Sequence, residues 1–183
     1  MPSSPPAPNA TRTKLEHEAM VRFLDQGFAA TPVREIAAAA GVTVPALYYH
    51  FGSKDGLLGA LVEPLIDDGE RVIAELAAGS PGADPARALA SYYDVVTAHL
   101  DVFRLVMVDP SVRSHDAAGH RLAEQGNRFL GILTGGSADH GAVLRANAAL
   151  GAIRRPLRLD DVDVVVDRAQ ILACAECALA ARP

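Results

Sequence analysis

Residues 33–58 read VREIAAAAGVTVPALYYHFGSKDGLL, and the fold turns on how this stretch is spaced. Two helices that cross tightly need a small residue where they touch, and Ala37 supplies it. The chain must then turn with positive φ, which Gly41 permits because it has no Cβ to clash. Val42 is the apolar plug after the turn, and Leu47 is the branched apolar group that the second helix points inward. Ile36, Ala40 and Phe51, with Phe23 and Phe28 upstream, complete a small three-helix core. The combination matches a helix-turn-helix, the motif whose second helix enters a major groove.

The rest of the chain is also helical in pattern. Ala, Leu, Glu and Arg dominate the long segments, no alternating strand pattern is present, and Pro and Gly fall mostly at the joints. The spacing predicts a first helix over residues 13–26, with Leu15, Ala19, Phe23 and Leu24 on one face and Gly27 at its end. Thr31-Pro32 is read as the N-cap and first position of a second helix ending at Gly41. A third covers 44–50. Ser53 caps a fourth that reaches residue 77, with Pro64 inside it and a kink expected there. Further helices are expected over 84–100, 101–108 and 114–134. Another runs from the Ser137 cap to just before Pro156, and the last from an Asp160 cap to 181. About nine helices with short joints make an all-α protein. The expected division is a flexible arm (1–12), a helix-turn-helix head (13–52) and a helical body (53–183).

Composition narrows the function. The 183 residues carry 17 Lys+Arg against 22 Asp+Glu, a net charge of −5. The deficit is not uniform. Residues 1–60 balance, with Arg12, Lys14, Arg22, Arg34 and Lys54 against five acids, so the acidity lies in the remainder. That excludes broad coating of nucleic acid but allows a small DNA-reading module on an acidic body. No apolar run is long enough to span a bilayer. The start, MPSSPPAPNATRTK, has no hydrophobic stretch after its charges and reads as a Pro/Ser-rich arm rather than a secretory leader. A cytoplasmic location, without membrane contact, is the expectation. The two cysteines, Cys174 and Cys177, are three apart on a late helix and lack a second pair for zinc, so packed thiols are expected. The chain contains no G-x-S-x-G, phosphate loop or H-E-x-x-H, so no enzyme activity, metal or cofactor is expected.

Over residues 13–63 the sequence resembles the TetR family of transcriptional regulators, most specifically in LYYHFGSKDGLL. The resemblance implies an N-terminal DNA-binding head and a C-terminal ligand-binding and dimerising domain. It places Thr31 and Val33 where the second helix meets a phosphate. It puts Thr43, Val44, Pro45, Ala46, Tyr48 and Tyr49 on the recognition helix and its lead-in, and Tyr48, His50 and Lys54 at the DNA backbone. Many relatives carry a polar or basic residue and a glycine where this chain has Val44 and Pro45. Val44 and Ala46 have no group to hydrogen-bond a base and would pack on a thymine methyl. Base-specific bonds then fall to Thr43, Tyr49, Arg34 or an Arg12/Lys14 arm, and an A·T-containing half-site is expected.

In the body, Tyr92, Val96, His99 and Phe103 share a face, continued by Met107; Leu122, Phe129 and Leu133 line a later helix. The resemblance implies an effector pocket between such helices, with Tyr93, His99, Arg104 and Asn127 as candidate polar anchors. Stripes of Leu144, Ala148 and Gly151, and of Val164, Ile171, Ala175 and Leu179, are expected to form a four-helix contact with a second copy of the chain. The reading is a homodimeric repressor that a small molecule releases from a near-palindromic double-stranded DNA operator. Two other classes stay open: a DNA-binding regulator answering to a protein partner or to no effector, and a helical carrier or enzyme with a vestigial helix-turn-helix.

Overall fold

The computed structural model describes residues 8–78, 84–157 and 167–181. Among these the chain is all-helical: α1 (Pro8–Gln26), α2 (Val33–Ala39), α3 (Val44–Phe51), α4 (Lys54–Ala78), α5 (Pro85–Ala98), α6 (Leu100–Val108), α7 (Pro110–Arg113), α8 (Asp116–Leu133), α9 (His140–Leu157) and α10 (Arg168–Ala180). Two buried clusters organise them. The first unites α1–α3 with the first half of α4 and reaches Leu105, Val106, Val112 and Ala118. The second joins the end of α4 to α5, α6, α8, α9 and α10.

Helix α4 belongs to both clusters. Leu57, Leu58 and Val62 are sealed in the first, and Val72, Ile73 and Leu76 in the second. Each such side chain contributes about 1.5–3 kcal/mol by leaving water. Ser53 starts the helix by accepting from the Gly56 N–H at 2.8 Å. Pro64 sits on its exposed side without ending it. Interior proline costs roughly 3 kcal/mol, and the buried Leu61, Val62, Leu65 and Ile66 around it offset that. A ladder on α8 grips the same helix: Arg121 to Glu63, Gln125 to the Ile66 carbonyl and Glu70, and Arg128 to Glu70.

Several local expectations are corrected. Helix α1 starts at Pro8, so Arg12 and Lys14 are helical rather than part of a flexible arm. Leu24 is exposed, because it lies one residue, about 100°, from the Leu15–Ala19–Phe23 stripe. Thr31 does not cap α2. Its hydroxyl donates to the Gly27 carbonyl at 2.8 Å, and Pro32 holds the N-cap position without a side-chain bond. His99 breaks the α5–α6 run with φ −119° and ψ 41°. The Asp109 carboxylate accepts from the Ser111 N–H and adds an unforeseen helix, α7, before α8. Helix α9 begins where Asp139 accepts from Ala142 N–H and runs past Pro156, which sits in its last turn. The expected Asp160 cap and Val164 lie outside the described residues.

Asp109 ties head to body. Its carboxylate accepts from Phe28 N–H, in the α1–α2 loop, and from the Ser111 N–H and hydroxyl. Burial pushes its pKa up, but hydrogen bonds from Ser111 and from the Phe28, Ser111 and Val112 amides outweigh burial and hold it below the usual carboxylate value. A depressed carboxylate stabilises the fold above its unfolded pKa, near 3.9, and loses that contribution as pH falls through the lower folded value. Asp109→Ala should therefore cost about 1–3 kcal/mol at neutral pH. In urea titrations the gap to wild type should close under strong acid; a gap that grows on acidification would contradict this account.

Candidate nucleic-acid interface and cavity

The head is built around its turn. Gly41 adopts φ +68°, its N–H donates to the Ala38 carbonyl, and Val42 N–H donates to the Ala37 carbonyl at 2.9 Å. Thr43 caps α3, its hydroxyl accepting from Ala46 N–H. Leu47 is fully buried beneath α1 and α2 with Ile36 and Ala37. At the far end of α3, Gly56 is pressed so close that an added Cβ would lie 2.0 Å from the Phe51 carbonyl oxygen. That contact fixes the angle between α3 and α4.

Burying Leu47 turns the opposite face of α3 outward. Thr43 and Pro45 are exposed, Tyr48 is 46% exposed and Tyr49 86%. An aromatic ring this uncovered contributes little to folding. The His50 ring meets Tyr49 edge-on at 5.4 Å. Cationic groups border the face. Lys14 Nζ stands 3.6 Å from where a Gly41 Cβ would be, Arg12 lies over the Phe51 ring at 4.9 Å, and Arg34 is exposed. The first turn of α2 has no side-chain cap, so its amides point outward unpaired by a side chain.

A second feature lies in the body. A mostly apolar cavity of about 110 Å³ is enclosed by α4, α5, α6, α8 and α9, its walls including Leu65, Val72, Phe103 and Phe129. A second cavity of about 300 Å³ adjoins it and shares Val106, Met107, Leu122, Gly126 and Arg154. Tyr92 and Phe129 stack at 5.0 Å, and Arg154 Nε donates to the Tyr92 hydroxyl at 2.7 Å. Burial raises the Tyr92 pKa, against the opposing pull of Arg154, so the phenol stays neutral.

Comparison with known proteins bears on the head segment and on the fold. Residues 17–61 match the family described as bacterial regulatory proteins, tetR family. The transcriptional repressor KstR2 of Mycolicibacterium smegmatis is 36% identical over 66 residues, covering 36% of this chain and 32% of that protein. KstR2 of Rhodococcus jostii is 40% identical over 57 residues, covering 31% and 28%. Over residues 17–61 the chain is similar to the TetR family. The likeness to these curated relatives spans about a third of their length. The whole-chain likeness is structural. A TetR-family regulator from Bordetella parapertussis superposes with a TM-score of 0.72 at 17% identity over 92% of this chain and 94% of that one. A TetR-like regulator from Rhodococcus sp. RHA1 superposes with 0.67 at 22% identity over 94% and 97%. At these identities the match establishes the shared fold.

Against the residues singled out from sequence, the head exposes Arg34, Thr43, Pro45, Tyr48 and Tyr49 together, with Val33, Ala46 and His50 half-buried at the edge. Three positions differ from expectation. The Thr31 side chain is 1% exposed and engaged with backbone carbonyls, so only the neighbouring amides can meet a phosphate. Val44 packs against the head core, which leaves half of it for a thymine methyl. Lys54 lies over the Phe28 ring at 4.6 Å and donates to the Ala29 carbonyl, rather than pointing from the surface. Burial lowers its pKa, partly countered by Asp55 and Asp109.

In the body, Tyr92, Val96, Phe103, Met107, Leu122 and Phe129 line the inner cavity and Asn127 the adjoining one. Tyr93 is buried in the core away from the lining. His99 turns out to Asp68 on α4 at 2.7 Å, and that bond, with one from Arg71, holds the Asp68 carboxyl below its usual pKa. Arg104 Nε donates to the Leu157 carbonyl and lines a separate groove beside Leu24 and Asp109. Sequence spacing missed Arg154 and Gln125, whose roles depend on α8 and α9 crossing α4 and α5. Leu47→Ala should lower stability by about 2–5 kcal/mol, whereas Tyr49→Ala should change it by less than about 0.5 kcal/mol. Thermal melts of the two variants check the contrast, and a large loss in Tyr49→Ala would mean that its ring packs on something.

Proposed function

We propose that this TetR-family chain is a homodimeric transcriptional repressor that occupies a near-palindromic DNA operator and leaves it when a small molecule enters the body. Residues 13–52 read DNA, and residues 53–183 hold the effector and the contact with the second copy. The observation that carries the reading is the double duty of two helices. Helix α4 seals the head core with Leu57, Leu58 and Val62 and walls the cavity with Leu65, Gly69, Val72 and Ile73. Helix α6 walls the cavity with Phe103, Val106 and Met107 and ends at Asp109, which holds the head loop. A ligand that repositions either helix moves the head, provided it binds the DNA-incompetent arrangement more tightly.

Tyr49 on α3, Thr43 at its N-cap and Arg34 on α2 supply the base-reading groups. Tyr48, His50 and the amides at Val33 hold the backbone, joined by Lys14 and Arg12. Val44, Pro45 and Ala46 offer only apolar contact, which favours a thymine methyl in the groove. Lys54 serves the head as a brace on the α1–α2 loop. Selection from random duplex DNA should return half-sites with thymine in the contacted major groove. Tyr49→Ala should weaken specific binding by about tenfold, within the 1–3 kcal/mol of a base contact. Selected sites without thymine, or a Tyr49→Ala protein that binds normally, would reject this assignment.

The self-contact uses the outward side of α9 and α10. Helix α9 buries Ala146, Ala149, Leu150 and Ile153 against its own body, while Leu144, 57% exposed, and Ala148 face outward beside half-buried Gly151. On α10, Ile171, Leu172 and Ala175 are buried in the chain's own core, so the stripe expected to meet a partner is an internal one. Cys174 and Cys177 are exposed rather than packed, because the i, i+3 step sets them opposite that buried face. Cys174 shares a surface groove with Ala152 and Arg155. Small residues of this kind let helices of two chains approach closely. Ala148→Glu keeps a good helix former and should convert a dimer to a monomer in sedimentation equilibrium at micromolar concentration. A variant that sediments like wild type would move the interface elsewhere.

A further inference from the structure

We infer that the body cavity selects an amphipathic carboxylate, with its apolar part in the inner chamber and its carboxylate on the guanidinium of Arg154. The inference rests on the effector reading above and specifies the ligand's chemistry. The inner chamber is walled by Leu65, Val72, Ile73, Val96, Phe103 and Phe129. Such a surface holds hydrocarbon or an aromatic ring and excludes a strongly hydrated molecule.

Of the residues that line both cavities, Arg154 alone carries a polar side chain. Arg154 uses Nε on the Tyr92 hydroxyl at 2.7 Å and lies over that ring at 5.3 Å. Arg121, Arg128 and Arg168 each have a carboxylate partner, whereas none pairs with Arg154 among the described residues. Its two Nη groups are therefore donors without a counter-charge among the described residues, on a half-buried side chain common to both cavities. The Tyr92 hydroxyl adds a further donor. The other polar side chain of the inner chamber, Gln125, has its amide nitrogen committed to the Ile66 carbonyl at 2.8 Å and to Glu70 at 3.1 Å. A site that presents donors and a positive charge rejects a cationic ligand and leaves its charge unpaired beside a neutral one. A carboxylate matches the planar fork with two parallel bonds.

The test is calorimetric titration of the full chain with decanoate, decanol, decylamine and decyl phosphate, which share one apolar tail. Decanoate should bind about tenfold or more tighter than decanol, decylamine weakest, and decyl phosphate below decanoate. In Arg154→Met the decanoate and decanol affinities should fall within about twofold of each other. Arg154→Lys, which keeps the charge but not the fork, should retain part of the preference. The assignment is overturned if decanol matches decanoate in the wild type, if Arg154→Met still prefers decanoate, if decyl phosphate outbinds decanoate, or if no probe binds at millimolar concentration. Operator binding is measured in the same samples. Decanoate that binds through Arg154 but leaves the protein on DNA would refute the release reading and leave the head-group assignment standing.

Discussion

The burial of one helix by two different cores is the constraint on which the molecule depends. Helix α4 presents apolar residues along its length, sealed at one end against the helix-turn-helix and at the other against α5, α8 and the late helices. Neither core is complete without it. A close-packed interior shifts between discrete arrangements rather than deforming smoothly. On the proposed reading, a rod held in this way carries a displacement at the cavity to the helix-turn-helix. The polar ladder from α8 fixes its rotation, and Pro64, on its solvent side, removes one backbone donor midway between the two cores.

Asp109 supplies the complementary tie. The head and body would otherwise touch through apolar surfaces that tolerate sliding, whereas a carboxylate shared by the Phe28 amide and the α7 N-terminus fixes a register. Lys54 braces the same loop from the other side, over the Phe28 ring. The α1–α2 loop is thus held by a carboxylate from the body and an ammonium from the start of α4. The head keeps its orientation relative to α4 and α6, two of the helices that line the cavity.

Much of this was legible in the chain. The head was readable because its determinants are local: Ala37, Gly41, Val42 and Leu47 lie within eleven positions, and each answers a steric demand made by its neighbours. The side chains of the outward face follow once Leu47 is known to point in. Thr31 was misread as a cap, and the brace made by Lys54 was missed, because their partners, the Gly27 and Ala29 carbonyls and the Phe28 ring, belong to a loop whose path no periodicity encodes. In the body, the Tyr92–Val96–Phe103–Met107 stripe survives the break at His99, but the polar anchors do not follow it. His99 is drawn to Asp68, and Arg104 to the end of α9.

By itself the sequence determined the helix class, most of the punctuation between helices and the position of the helix-turn-helix, since these depend on contacts a few residues apart. Tertiary structure alone decided which arginine stands at the cavity, which face of α10 is spent on its own core, and that α4 and α6 serve both ends of the molecule. Those outcomes depend on side chains tens of residues apart meeting across crossing helices, and the crossing is set by the packing of the whole interior rather than by any local pattern.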